Sequence, residues 1–350
     1  MLSTIALSQE GAKQAIEIAL QADTPLFITG SFGTGKSTIV KQIAKELNLE
    51  LIDIRLSQVQ QFDLAGFPKD VNGRMEYLPL ADIPIESDPL PNGKNGWLMF
   101  LDELNAADKY VQGAAYKLIL DRMVGKHNLH PNVRIICAGN RIQDQGLVNK
   151  LLAPMKTRLT HIEMYVDNKE FLKYVYEQTD QGLWHPYIYA FLNFKPDQIN
   201  NADPSVESHT YATPRTWELL SKQLNAGLDL LDPSIYTPIV CGIVGDSAGM
   251  DFVSFLESFS QFPSIQQVEA DPMNASLPSD LGAKWALGIW LSQHMTQTNK
   301  QQIVDYATRI SEPDLRVVIY RYLVMKDPSL MANPKIQATL VQTQKQLAGI

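Results

Sequence analysis

Cysteine is scarce in this chain. Two thiols, Cys137 and Cys241, in 350 residues give no disulfide framework and fit a reducing compartment. There is no apolar run of 18 residues, which excludes an ordinary membrane-spanning helix. The opening Met-Leu-Ser-Thr-Ile-Ala-Leu-Ser-Gln-Glu lacks the basic region and apolar stretch of a signal peptide, so a cytoplasmic chain is expected. Positive charge is also in deficit. Thirty Lys and Arg against 38 Asp and Glu leave a net charge of -8, which argues against a surface made mainly for phosphate backbones, although a local basic pore fits inside an acidic total. The six histidines, His127, His130, His161, His185, His209 and His294, have no metal-ligand spacing. Neither an internal repeat nor a low-complexity tract is present. With 45% hydrophobic and 19% charged residues, the chain reads as globular and long enough for two or three domains.

The most informative stretch is residues 25 to 38, Pro-Leu-Phe-Ile-Thr-Gly-Ser-Phe-Gly-Thr-Gly-Lys-Ser-Thr. Leu26 to Thr29 read as a short buried strand, Gly30 to Gly35 as a flexible loop, and Lys36-Ser37 as the start of a helix. Ile39, Val40, Ile43, Ala44 and Leu47 recur at helical spacing behind them. Gly30, Gly35, Lys36 and Ser37 satisfy G-x-x-x-x-G-K-S, the phosphate-loop pattern. The glycines permit the turn and let backbone N–H groups of Ser31, Phe32, Gly33 and Thr34 approach a phosphate, and the helix start through Thr38 adds its partial positive charge. Lys36 reaches the β- and γ-phosphates, and the Ser37 hydroxyl ligates Mg²⁺. A chance match is expected in roughly one chain in a hundred of this length, and the flanking strand and helix make it rarer still.

A helix over residues 8 to 21 precedes that loop. Further strands are expected at Glu50–Ile54, Trp97–Leu101, Val133–Ala138 and Thr160–Met164, with a helix at about 108 to 121 whose buried face is Val111, Ala114, Ala115, Leu118 and Ile119. Residues 55 to 96 are rich in Pro, Gly, Asn and Asp. Within them an Asn72-Gly73 turn between extended segments signals a hairpin, and a second small hairpin centres on Gly125. Alternating strands and helices imply a five-stranded parallel sheet covered on both faces, with ligands at the strands' carboxyl ends. From about 168 onward the pattern is helical, with Pro-, Asn- and Asp-rich connections at 195 to 213 and 262 to 280. Trp285, Leu287, Trp290 and Leu291 read as core of this C-terminal part.

Asp102-Glu103 follows the apolar run Leu98-Met99-Phe100-Leu101. At the end of a central strand, the first carboxylate suits Mg²⁺ held through water and the second suits polarising an attacking water. Isolated, the pair reads equally well as an acidic helix start; beside the phosphate loop it reads as catalytic. Asn140 closes Ile135-Ile136-Cys137-Ala138-Gly139-Asn140, where an amide has the donors and acceptor to bond both a γ-phosphate and a lytic water; by itself it reads rather as a turn residue after a strand. Arg158 precedes the last strand, and Arg215 follows Pro214 at a helix's first turn. An isolated arginine is usually a solvated surface residue.

In the order G-S-F-G-T-G-K-S, L-M-F-L-D-E-L-N, C-A-G-N, M-K-T-R-L and T-P-R-T-W, the chain resembles AAA+ ATPases. It is most similar to the MoxR branch, in the clade shared with the dynein and midasin motors and McrB. Leu104-Asn105 and Gln112 look like this branch. The resemblance covers residues 8 to about 225. It implies an AAA+ P-loop fold in three parts: a large α/β nucleotide-binding subdomain at 1–166, an α-helical lid at 167–226 and a C-terminal helical region at 227–350. It makes Lys36 and Ser37 the Walker A lysine and Mg²⁺ ligand, Asp102 and Glu103 the Walker B pair, and Asn140 sensor 1. Arg158 becomes an arginine finger for a neighbouring subunit, with Lys156 and Arg141 as rival positions because Leu159 stands where the family usually has Phe. Arg215 becomes the sensor 2 arginine. The hairpins at Gly73 and Gly125 match the insertions of helix 2 and before sensor 1. Phe62, Phe67 and Tyr77 either face a central pore or anchor their loops.

The expected function is ATP hydrolysis at the subunit interfaces of a hexameric ring that remodels a protein partner, in this family often one bearing a von Willebrand factor A domain. A McrB-like or helicase-type nucleic-acid motor is the alternative, and the acidic balance weighs against it. A nucleotide switch without hydrolysis fits poorly, because the hydrolytic set is complete.

Overall fold

The computed structural model describes residues 4–141, 144, 149–203, 208–258 and 262–347, with the backbone alone at 342–347. The chain divides into two compact units, Met1–Glu170 and Phe171–Ile350.

In the first unit the elements run in order as β1 (Ala6–Leu7), α1 (Gln9–Gln21), β2 (Leu26–Thr29), α2 (Lys36–Glu46), β3 (Glu50–Arg55), α3 (Gln61–Ala65), β4 (Phe67–Val71), β5 (Arg74–Leu78), β6 (Trp97–Asp102), α4 (Lys109–Leu120), β7 (Met123–Val124), β8 (His127–Asn128), β9 (Val133–Ala138), α5 (Ala153–Lys156) and β10 (Thr160–Met164). The sheet is parallel throughout and has six strands, in the order β1-β10-β2-β9-β6-β3. The five expected from sequence are all present. The sixth is β1, whose two residues pair with Glu163 and Met164 at the sheet's edge. Two residues carry no readable alternation, so only the partner strand defines this one.

Alternate residues of each strand go to opposite layers. Leu98 and Phe100 of β6 join Leu26, Ile28, Ile136 and the apolar faces of α1 and α2. Met99 and Leu101 join Phe27, Cys137 and the inner face of α4. This is why β6 reads as an unbroken apolar run: both of its faces are covered. Each fully buried Leu, Ile or Phe here contributes about 1.5–3 kcal/mol. Cys137 belongs to that core, and burial pushes its thiol pKa far up, so it behaves as a small hydrophobe. Both expected hairpins are present, β4–β5 turning at Asn72-Gly73 and β7–β8 at Gly125.

Helix starts follow capping chemistry. Ser8 accepts from the Gly11 N–H at the start of α1, and Asp108 accepts from Tyr110 and Val111 at the start of α4. Helix α2 differs: it follows Gly35 and has no side-chain cap.

The second unit is helical. Helix α6 (Asn168–Asp180) runs into it, followed by α7 (Pro186–Phe194), α8 (Pro214–Asn225), α9 (Pro233–Val244), α10 (Asp246–Glu257), α11 (Ile265–Ala270), α12 (Leu281–His294), α13 (Lys300–Ala307), α14 (Pro313–Lys326) and α15 (Pro334–Leu347). Phe191 of α7 packs with Trp217 of α8 and with Phe252 and Phe255 of α10, at ring separations of 5.2–5.6 Å. Leu287 and Leu291 of α12 lie in a second core with Ile303, Tyr306 and Ile319, against which Trp285 and Trp290 pack. Among the described residues no helix is long and apolar enough to cross a membrane.

Candidate nucleotide site

The chain leaves β2 at Gly30, where a Cβ would fall 2.7 Å from the Met164 carbonyl oxygen, so the loop lies against β10 too closely for a side chain. It enters α2 after Gly35 at φ +96°, a backbone that glycine adopts without strain. Gly35 brings no side chain to cap α2, so an anion in the loop meets the start of the helix and its partial positive charge directly. Thr34 Oγ1 donates to the Ser31 carbonyl at 2.9 Å and braces the loop from within. The Lys36 ammonium is buried, donating to the carbonyls of Gly30 at 2.8 Å and Ser31 at 3.0 Å and to Asn140 Oδ1 at 3.3 Å. These three partners are neutral oxygens; a phosphate brings full charges to replace them.

Asp102 ends β6 one strand away from β9. Its Oδ2 accepts from Ser37 Oγ at 3.1 Å, and its Oδ1 accepts from the Glu103 N–H at 2.8 Å. Two hard oxygens a hydrogen bond apart at the mouth of a phosphate loop fit Mg²⁺, which keeps several waters and takes one or two protein ligands besides phosphate. Glu103 sits at φ +59°, a left-handed backbone that costs a non-glycine residue of order 1–3 kcal/mol. Its Oε2 accepts from Ser57 Oγ. Ser57 is a residue the sequence reading missed. The parallel register of Arg55 with Asp102 places it there, and a Ser two residues past the strand neighbouring the acidic pair was the available signal.

Asn140 follows β9 and is fixed by Asn105, whose Nδ2 donates to the Asn140 carbonyl at 2.7 Å while its Oδ1 accepts from the Asn140 N–H at 3.2 Å. Gln112, fully buried on α4, donates to the Ala107 carbonyl at 3.2 Å and accepts from the Leu152 N–H at 3.2 Å. Asn105 and Gln112 therefore tie the segment after the acidic pair to the segments after β9.

Arg141 faces its own phosphate loop. Its guanidinium donates to Asp144 at 2.8 Å and to Ser31 Oγ, with Glu163 at 3.6 Å. Hydrogen bonding to Asp144 holds it charged, its pKa raised further above the usual value.

At the other end of the sheet, before β10, Arg158 is exposed, its guanidinium 5.4 Å from the Tyr116 ring centroid. It shares a cavity of about 330 Å³ with Asp23, Thr24, Arg122 and Arg134. Thr160 pairs with Leu26, so Arg158 lies roughly 15–20 Å along the strands from Gly30 and does not join the constellation around Lys36. Lys156 is exposed at the end of α5. Arg215 is exposed in the first turn of α8, in the second unit. Phe62, Phe67 and Tyr77 are 39–48% exposed, and the rings of Phe62 and Phe67 are 6.1 Å apart.

Residues 26–163 match the profile of the ATPase family associated with various cellular activities (AAA). Over 122 residues the chain is 31% identical to midasin of Dictyostelium discoideum, a stretch that is 30% of this chain and 2% of midasin. A candidate ATPase of Cytophaga hutchinsonii is 18% identical, at a TM-score of 0.36 over 48% of this chain and 50% of that one. The RuvB Holliday junction branch migration motor of Thermotoga maritima is 18% identical, at a TM-score of 0.37 over 71% and 69%. Over residues 26–163 the match is to an AAA ATPase domain, and ATP hydrolysis is the chemistry that the match supports.

Proposed function

We propose that the protein is a MoxR-like AAA+ ATPase whose catalytic sites are completed between subunits of a hexameric ring, and which uses ATP to remodel a protein partner. The observation that carries this reading is the split of the chemistry between the sheet's two ends. Lys36, Ser37, Asp102, Glu103 and Asn140 stand together at one end, and Arg158 stands exposed at the other. In this scheme the phosphate loop and Lys36 hold the triphosphate, Ser37 and Asp102 hold Mg²⁺, Glu103 orients the attacking water and Asn140 bonds the γ-phosphate. Bound Mg²⁺ neutralises charge that develops on the β- and γ-oxygens.

Arg158 acts on a neighbour's nucleotide. Residues 167–226 serve as the lid, with Arg215 as its sensor 2 arginine, and the helices at 227–350 follow it. A partner bearing a von Willebrand factor A domain and a cytoplasmic location complete the proposal. The acidic net charge of -8 favours a protein substrate over a nucleic-acid one.

Glu103→Gln tests the reading, because it removes water orientation while leaving the Mg²⁺ oxygens in place. This variant is expected to bind MgATP as the parent does, to lose about 10²- to 10⁴-fold in phosphate release and to accumulate as a ring in light scattering. A variant that turns over normally removes Glu103 from its role, and one that stays monomeric with MgATP overturns the ring. Strong, salt-sensitive stimulation of the parent's ATPase by DNA or RNA overturns the protein substrate.

A further inference from the structure

The residue that follows Asn140 makes a second contact with the phosphate loop. Asn140 Oδ1 accepts from Lys36 at one end of that loop. Arg141 donates to Ser31 Oγ at the other. The Ser31 carbonyl accepts from Lys36 at 3.0 Å, so Asn140, Arg141, Ser31 and Lys36 form a closed circuit of three hydrogen bonds and one peptide link. Arg141 is anchored from behind. Asp144, its side chain 2% exposed, takes the guanidinium at 2.8 Å from one nitrogen and at 3.2 and 3.3 Å from another, and also accepts from Ser31 Oγ at 3.2 Å. Glu163 of β10 lies 3.6 Å from the third nitrogen. A carboxylate so deeply buried persists only when paired. Here its pair holds the first residue after Gly30.

We propose that Arg141, fixed by Asp144, is a positioning residue that acts in its own subunit, holding Ser31 so that the phosphate loop keeps its shape when Lys36 exchanges carbonyl oxygens for phosphate. The exchange withdraws the ammonium from the Gly30 and Ser31 carbonyls, leaving Ser31 held by Thr34 Oγ1 at its carbonyl and by Arg141 and Asp144 at its hydroxyl. With Arg141 and Asp144 in place the loop is already formed when nucleotide arrives, and the ordering cost is not charged to binding. This inference rests on the nucleotide-site reading above.

The test is the affinity of the full chain for a fluorescent ATP analogue with Mg²⁺, measured for the parent, Arg141→Ala, Ser31→Ala and the double variant, with phosphate release alongside. Arg141→Ala is expected to weaken binding about tenfold, the size of one charge-assisted hydrogen bond. Ser31→Ala is expected to weaken it comparably, and the double variant no further than the worse single one. Arg141→Lys, which keeps the charge but not the fork, should recover part of the loss. The loss in apparent affinity should exceed the loss in turnover at saturating ATP in all three singles, since the step affected is binding. Ser31→Ala removes one hydroxyl, so the test stands even where Arg141→Ala folds poorly. Parental affinity in Arg141→Ala and Ser31→Ala overturns the inference. So does normal affinity with turnover lost, which would make Arg141 a group acting on the reaction itself. A parent that binds no MgATP overturns the nucleotide site and this inference together; a parent that binds while the variants match it overturns this inference alone.

Discussion

The two ends of the sheet use positive charge in opposite ways. At the carboxyl ends Lys36 is buried and donates to the Gly30 and Ser31 carbonyls and to Asn140, and Arg141 is spent on Asp144 and the loop. At the amino ends Arg122 donates to the Val133 carbonyl at 2.7 Å and faces Asp23 at 3.4 Å, while Arg134 donates to the carbonyls of Leu20 at 3.1 Å and Pro131 at 2.9 Å. Of these three arginines, Arg158 is the exposed one and lies over an aromatic ring. One end is a cradle organised for an anion; the other offers a cation outward beside two arginines that hold the fold. Equal charge thus does unequal work, and the hydrogen bonds of each guanidinium tell the roles apart.

The widest separation should come from Arg158→Ala. Loss of the finger proposed between subunits is expected to cost 10³- to 10⁵-fold in turnover, roughly 4 to 7 kcal/mol of barrier, with ATP affinity close to parental. Parental turnover would move the finger to another residue, and a matching loss of affinity would place Arg158 in its own subunit's site. Arg122→Met should do the reverse. It strips the donors from carbonyl oxygens and keeps the stem, so stability is expected to fall by about 1–2 kcal/mol in a denaturant melt, with turnover per folded chain unchanged. A loss of turnover without a loss of stability would break the division of labour. The smallest effect belongs to Ser57→Ala. It frees Glu103 from its hydroxyl partner, and phosphate release is expected to rise about two- to fivefold, the size of a modest hydrogen bond. A fall would mean that Ser57 holds Glu103 in its working position.

Much of this arrangement was legible in the chain, and the gaps have physical causes. The phosphate loop, the acidic pair and Asn140 lie just past strand ends, and a parallel sheet brings such residues together whatever the loops do. Strand β1 escaped because two residues have no period. Ser57 escaped because its role depends on register between β3 and β6, which composition does not reveal. Asp144 lies three residues after Arg141, a spacing that surface ion pairs share, and only its burial separates it from them. Gln112 was read as a mark of family likeness; its zero exposure and its paired bonds give it a structural task, carrying position from α4 to the chain before α5. Phe62, Phe67 and Tyr77, expected either to face a pore or to anchor their loops, are 39–48% exposed, which weighs against buried anchoring.

The uncapped start of α2 has a consequence for the life of the protein outside catalysis. A helix whose N-cap is a glycine without a side chain to offer gains from whatever anion occupies the loop, so nucleotide is part of its fold as well as its fuel. At a free concentration one hundred times the dissociation constant, such a ligand adds about 2.7 kcal/mol to the stability of the folded state. Marginal domains have only about 5–15 kcal/mol in all. Resistance to unfolding and proteolysis should then follow the supply of ATP, and a starved cell would hold this enzyme in a less durable form.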